Sequence, residues 1–148
     1  MTIRLLRKED VPEVAQIEKM CFPDPWSEAS LAECLFVPPA KAFCIVNDEE
    51  KIVAYAGMYC VLDEGQIVNI ATHPSYRRRG YAQMMIQKLK EEALVAGLLF
   101  LTLEVRASNQ AAIELYEKNG FAVIGERANY YLHPRENALI MNCNLKDG

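Results

Sequence analysis

The chain has 148 residues and a formal net charge of −4, with 51% hydrophobic and 24% charged residues. That length buries a real core as one domain. The acidic balance excludes general nucleic-acid binding, which needs a basic surface, and suits a cationic substrate.

No stretch approaches the roughly 18 unbroken apolar residues of a membrane span. The N-terminal Met1-Thr2-Ile3-Arg4-Leu5-Leu6-Arg7 does not read as a signal peptide, so a cytoplasmic location is expected. Five cysteines, an odd number with no C-x-x-C pair, point to buried thiols in a reducing compartment rather than a disulfide framework. His73 and His133 lie far apart with no cysteine at ligand spacing, so no metal site is expected.

Ile3-Arg4-Leu5 alternates as a short edge strand. Asp10 offers an N-cap and Pro12 fits a first turn, and Val11, Val14, Ala15 and Ile17 form the apolar stripe of a helix running to about Met20. Two prolines keep Phe22-Pro23-Asp24-Pro25-Trp26-Ser27 out of helix. Ser27 caps a second helix from Glu28 to about Phe36, ended by Pro38-Pro39.

From Ala42 the period becomes that of strands. Phe43 to Val46, Ile52 to Leu62 and Gln66 to Thr72 form an antiparallel meander with turns at Asn47 to Glu50 and Asp63 to Gly65, and Gly57 marks a bend or bulge. After Gly80, Ala82, Met85, Ile86, Leu89, Ala93 and Ala96 fall on one helical face closed by Gly97. Leu98 to Val105 is a buried strand. Ser108-Asn109 caps a helix ending at Asn119-Gly120. Phe121 to Gly125 and Ala138 to Met141 are the last two strands, joined by a tyrosine-bearing loop. The order β-α-α-β-β-β-α-β-α-β-β defines an α+β domain with one mixed, mostly antiparallel sheet of about seven strands flanked by about four helices.

Chemistry concentrates in a few places. Strand, proline-broken corner, Arg77-Arg78-Arg79-Gly80 and helix together aim backbone N–H groups and positive charge at one point, which suits a phosphate; a solvated basic turn is the alternative. Neither G-x-x-x-x-G-K-[ST] nor G-x-G-x-x-G occurs. Glu104 is an acid inside an apolar strand. It is either paired with Arg106 on the same strand face or a general base, since a carboxylate taken out of water becomes more basic. Tyr116 is a core tyrosine or a neutral O–H donor, and Asn109 is first of all a helix cap. Trp26, Tyr130 and Tyr131 either cover a core edge or form the walls of a peptide slot, to which Asp24 and Glu136 would lend negative charge.

Taken in this order, the arginine-glycine corner, the Glu104 strand and the Asn109-capped helix resemble the GNAT superfamily of acetyl-CoA-dependent N-acetyltransferases across essentially the whole chain. Phe22-Pro23-Asp24-Pro25-Trp26-Ser27, Asn69-Ile70-Ala71, Leu103 to Asn109, Ala112-Ile113, Leu115-Tyr116-Glu117, Gly120-Phe121 and Asn129-Tyr130-Tyr131 are similar to the RimI type, which acetylates the N-terminal alanine of a small-subunit ribosomal protein.

The resemblance implies that Ile70, Ala71 and Thr72 pair with the pantetheine arm of acetyl-CoA. The amides of Arg78, Arg79, Gly80, Tyr81, Ala82 and Gln83 would hold its diphosphate, and Asn109 would add a contact. Glu104 would be the proton acceptor, Tyr116 the proton donor, and Trp26, Tyr130 and Tyr131 the acceptor slot. Thr72 stands where valine is usual, and Asn137 where aspartate is commoner. Alternatives are a GNAT enzyme acting on lysine side chains or a small amine, and a non-catalytic acyl-CoA-binding partner of tRNA-modification proteins.

Overall fold

The computed structural model describes residues 1–145. Its elements are β1 (Thr2–Leu5), α1 (Val11–Cys21), α2 (Glu28–Phe36), β2 (Ala40–Val46), β3 (Ile52–Val61), β4 (Glu64–Thr72), α3 (Tyr81–Val95), β5 (Phe100–Arg106), α4 (Gln110–Lys118), β6 (Phe121–Leu132) and β7 (Arg135–Asn144). Short 3-10 turns at Lys8–Asp10 and Pro74–Tyr76 precede α1 and α3. The strands form one sheet in the order β1-β2-β3-β4-β5-β7-β6. Neighbours run antiparallel except β4 and β5, which are parallel. The α+β class and the element order are those expected.

Two apolar clusters cover the two faces of the sheet. Met85, Ile86, Leu89 and Ala93 of α3, with Ile113 and Tyr116 of α4, pack on Ala54, Ala56, Met58, Leu101, Leu103 and Val105. Val11, Val14, Ala15 and Ile17 of α1, with Leu31 and Leu35 of α2, pack on Ala42, Cys44, Tyr55 and Ala71. The α2 contact explains Gly57, where a Cβ would lie 2.6 Å from Leu35 Cδ2.

Ser27 caps α2 as expected, accepting from the Ser30 N–H at 3.1 Å. Asp10 does not cap α1 with its side chain. It accepts instead from the Arg7 N–H at 2.7 Å and from both Arg4 terminal nitrogens at 2.8 and 3.0 Å, so it ties β1 to the turn before the helix. The tyrosine-bearing loop is also not a loop. β6 continues through Tyr130 and Tyr131 to Leu132, with register shifts between Val123 and Gly125 and between Arg127 and Tyr131. Asn129, at φ 53°, sits inside the second shift. These irregularities break the period-2 pattern that marks a strand.

The feature that creates the site is also a bulge. β3 pairs with β4 up to Met58–Ile67 and resumes at Gly57–Asn69, so Val68 is an extra residue. A bulge bends its strand and adds twist. The parallel ladder between β4 and β5 covers only Glu64–Phe100, Gly65–Leu101 and Gln66–Thr102. Beyond it β4 follows β3 to Thr72 while β5 follows β7 to Arg106. The two strands part, and the sheet opens in its middle.

Candidate active site

The opening presents strand edges that lack a strand partner. The His73 N–H donates to Val53 O at 2.8 Å. Groups on alternate residues of a strand point to the same side, so Ala71 turns its backbone to β3, where it stands opposite Tyr55. Ile70 and Thr72 turn theirs away from β3 and toward the opening. Consistent with that, Thr72 O accepts from Cys21 Sγ at 3.3 Å rather than from a strand. Of the three residues expected along a pantetheine arm, Ile70 and Thr72 turn their backbone toward the opening, the Thr72 carbonyl being held by Cys21. Ala71 is committed to the β3 ladder and its methyl is buried.

The opening leads to the arginine corner. His73 Nδ1 accepts from the Ser75 N–H at 3.0 Å and shapes the turn. Arg78 and Gly80 both have left-handed backbone, at φ 65° and 82°. Gly80 is the N-cap of α3, makes no side-chain cap, and would meet nothing within 4 Å if it carried a Cβ. Uncapped N–H groups at the start of a helix carry its positive end and bind anions. Arg79 lies 5.2 Å over the Tyr76 ring and Arg77 donates to Cys21 Sγ at 3.6 Å. Arg78 is exposed at the corner. Tyr81 packs on the core, Ala82 is half-buried, and Gln83 exchanges amide hydrogen bonds with Asn119 at 2.6 and 2.7 Å. The Tyr81 and Gln83 side chains are thus engaged elsewhere, which leaves backbone as what these three present at the start of the helix.

On the β5 edge, Leu101, Leu103 and Val105 point into the core, and the alternation puts Thr102, Glu104 and Arg106 on the other face. Glu104 is not paired with Arg106. The Arg106 guanidinium bonds Glu136 at 3.3 Å and the carbonyls of Pro134 and His133 at 2.9 and 3.2 Å, and it stacks 4.2 Å over Tyr131. It clamps the β6–β7 hairpin. Glu136 in turn accepts from the Ser108 N–H at 2.6 Å, and the Ser108 hydroxyl first, then that N–H and Arg106, hold its carboxyl below the usual range. The nearest cation to Glu104 is Arg127, at 3.8 Å on Oε1, while Oε2 is buried without a hydrogen-bond partner among the described residues.

Around Glu104 stand the tyrosines. Tyr130 and Tyr131 meet edge to face at 5.1 Å. The Glu104 carboxylate, as an acceptor for its proton, and then partial burial raise Tyr130. Tyr131 is pushed up to about 12, chiefly by burial and then by Tyr130 and Glu104. Tyr116, tilted against Phe121 at 5.7 Å, is likewise pushed up to about 12 by burial, with Tyr131 adding to it. The structure thus gathers Glu104, Tyr130 and Tyr131, with Tyr116 reaching them through Tyr131, and keeps all three phenols protonated at neutral pH. Asn109 caps α4 through Oδ1, accepting from the Ala112 N–H at 3.2 Å. Trp26 is 39% exposed and touches neither tyrosine of the pair among the described contacts; it is anchored on the β4 side of the opening.

That anchor is Glu18, which sequence reasoning passed over. Glu18 is 1% exposed. Its Oε2 accepts from the Trp26 N–H at 3.1 Å and its Oε1 from Asn69 Nδ2 at 2.9 Å and from the Tyr55 hydroxyl. Burial raises its pKa, opposed by the bonds from Tyr55 and Trp26. The signal was present: position 18 continues the Val11, Val14, Ala15 stripe at helical spacing, so a carboxylate there had to be buried.

An opening between parted strands, leading from free-facing strand amides to an uncapped helix start, fits a long thiol ester with a diphosphate at one end. Among the described residues no group of three or more His, Cys, Asp or Glu is placed to hold a metal, and no helix is long and apolar enough to cross a membrane. The family model for the acetyltransferase (GNAT) family matches residues 11–121. The chain belongs to that family. It is similar to the [ribosomal protein bS18]-alanine N-acetyltransferase of Salmonella typhimurium, 38% identical over 144 residues covering 95% of each chain. It is 39% identical to the protein of the same name from Escherichia coli K12 over 142 residues, again 95% of each. The crystal structure of the ribosomal-protein-S18-alanine N-acetyltransferase from Escherichia coli superposes with a TM-score of 0.90 at 37% identity, covering 97% of this chain and 93% of that one.

Proposed function

We propose that the chain transfers an acetyl group from acetyl-CoA to the α-amine of a protein N-terminus, an N-terminal alanine of a small-subunit ribosomal protein, by direct attack. The names of the relatives support the acceptor. The observation that carries the chemistry is the Oε2 of Glu104, buried beside the opening and without a hydrogen-bond partner among the described residues. A buried carboxylate oxygen calls for a hydrogen-bond donor, and the amine to be acetylated supplies one.

Acetyl-CoA, as cosubstrate, supplies an acetyl thioester. In this reading Ile70 and Thr72 hold its pantetheine arm through backbone, with Ala71 shaping the strand. The amides of Arg78, Arg79, Gly80, Tyr81, Ala82 and Gln83 hold the diphosphate, and Asn109 adds a contact with its free amide nitrogen. Glu104 takes the proton of the attacking amine directly or through one water. The Ile70 N–H donates to the thioester carbonyl oxygen as negative charge grows there. Tyr116, protonated at neutral pH, gives its proton to the departing thiolate. Trp26 on the β4 side and Tyr130 and Tyr131 on the β5 side wall the acceptor slot.

An α-amine has a reference pKa near 8 against about 10.4 for lysine, so roughly a tenth is neutral at pH 7 and the base needs little extra strength. Every residue invoked lies on this one chain, and a tRNA-modification partner is no part of the reading.

The test is acetyl transfer to peptides that begin with alanine and contain an internal lysine, with the N-terminus free or blocked, the modified atom located by mass spectrometry. The free peptide becomes acetylated at its first residue and the blocked one does not. Equal transfer to the lysine of the blocked peptide would sink the proposal.

A further inference from the structure

Glu18 is fully buried, and no lysine or arginine pairs with it among the described residues. An apolar residue at this position would complete the α1 stripe. The stripe itself therefore does not call for a carboxylate. Its contacts do.

The acceptor-side loop from Phe22 to Ser27 has two backbone N–H groups with a partner among the described residues, and both end on Glu18. Phe22 donates to its main-chain oxygen at 3.0 Å and Trp26 to Oε2 at 3.1 Å. The other oxygen receives Tyr55 from the middle of β3 and Asn69 from β4. Asn69 directly follows the bulged Val68 and directly precedes Ile70, the residue whose amide turns into the opening. One side chain thus joins the loop that carries Trp26 to the strand segment along which the acyl donor would lie.

We propose that Glu18 is a positioning residue for the acceptor: it latches the Trp26 loop to β4 and so sets the distance between the acceptor wall and the Ile70 amide. The proposal rests on reading the opening as the acetyl-transfer site. Three donors converge on Glu18, and glutamine can still serve them. Its oxygen keeps the Trp26 N–H while its NH2 meets a turned Tyr55 hydroxyl and a flipped Asn69 amide. Leucine fills the space and serves none.

The experiment compares Glu18→Gln and Glu18→Leu in the full chain by acceptor KM, acetyl-CoA KM, thermal unfolding, and acrylamide quenching of Trp26, the only tryptophan in the sequence. In Glu18→Leu, acceptor KM rises about tenfold or more while acetyl-CoA KM stays within about twofold. Trp26 quenching rises about twofold, because a loop without its hydrogen bonds opens more often, and the melting temperature falls by a few degrees as the Tyr55 hydroxyl loses its buried acceptor. Glu18→Gln restores acceptor KM to within about threefold of wild type.

Wild-type acceptor KM and quenching in Glu18→Leu overturn the proposal. So does a parallel rise of both KM values, which marks a merely structural role. If the wild-type chain acetylates no peptide amine, the reading of the site fails, whereas unchanged Trp26 quenching in Glu18→Leu refutes the latch independently of turnover.

Discussion

Glu104 of β5 and Arg127 of β6 face each other at 3.8 Å across the intervening β7, and the contact leaves Arg127 58% exposed. Arg106, two residues along β5, is instead spent on Glu136 and the β6–β7 turn. The two arginines nearest the candidate base thus do different work, and substitution separates them. An exposed ion pair contributes about 1 kcal/mol or less, so Arg127→Met should change kcat by no more than about fivefold. Arg106→Met removes the hairpin clamp and the platform under Tyr131. Acceptor KM should rise about tenfold, with a lower melting temperature and an acetyl-CoA KM near wild type, read by steady-state kinetics and calorimetry.

Gly80 stands at φ 82° with nothing around it. Gly80→Ala meets no atom, so its cost is backbone strain of about 1 kcal/mol. The corner relieves that strain by moving the first turn of α3. Acetyl-CoA KM should rise severalfold while acceptor KM holds, and product inhibition by CoA should weaken in parallel.

Tyr116 keeps its proton throughout the working range, being pushed up to about 12. Tyr116→Phe keeps the ring against Phe121 and removes the donor. A general acid contributes about 10²–10⁴-fold, and kcat should fall by about 10²-fold with melting temperature within a few degrees of wild type.

Glu18 yields a stability prediction with a definite sign. Its folded pKa is raised by burial. A carboxyl group raised on folding gives its full stabilisation below its unfolded pKa and loses it as pH rises through the folded value. Going up from about pH 4.3, the wild type should lose stability relative to Glu18→Gln, which cannot ionise. Denaturant midpoints of both proteins from pH 4 to 8 read the difference directly; a gap that stays constant with pH contradicts the burial account.

Much of the fold is legible in the residues because local signals agree with tertiary packing: Met85, Ile86, Leu89 and Ala93 repeat at helical spacing and are buried. Glu104 stood out because an acid interrupts an apolar alternation. What was not legible depends on register. The extra residue Val68 has no side-chain signature, yet it parts β4 from β5. The shifts in β6 hid the strand that carries Tyr130 and Tyr131. The Arg106 pairing that strand-face spacing offered for Glu104 does not form, because the cation that reaches it, Arg127, comes from β6, across β7, and no local spacing reports that. Glu18 was passed over because glutamate reads as a helix surface residue, although its phase on α1 is that of the core.

The central claim is that Glu104 takes the proton of an α-amine in the opening between β4 and β5. Pre-steady-state acetyl transfer by Glu104→Gln to an alanine-starting peptide tests it most directly, with CoA release and acetyl-CoA binding followed on the same samples. The predicted result is a transfer rate lowered by about 10²–10³-fold, with acetyl-CoA affinity and melting temperature close to wild type. Transfer at the wild-type rate would contradict the assignment, whatever the fold.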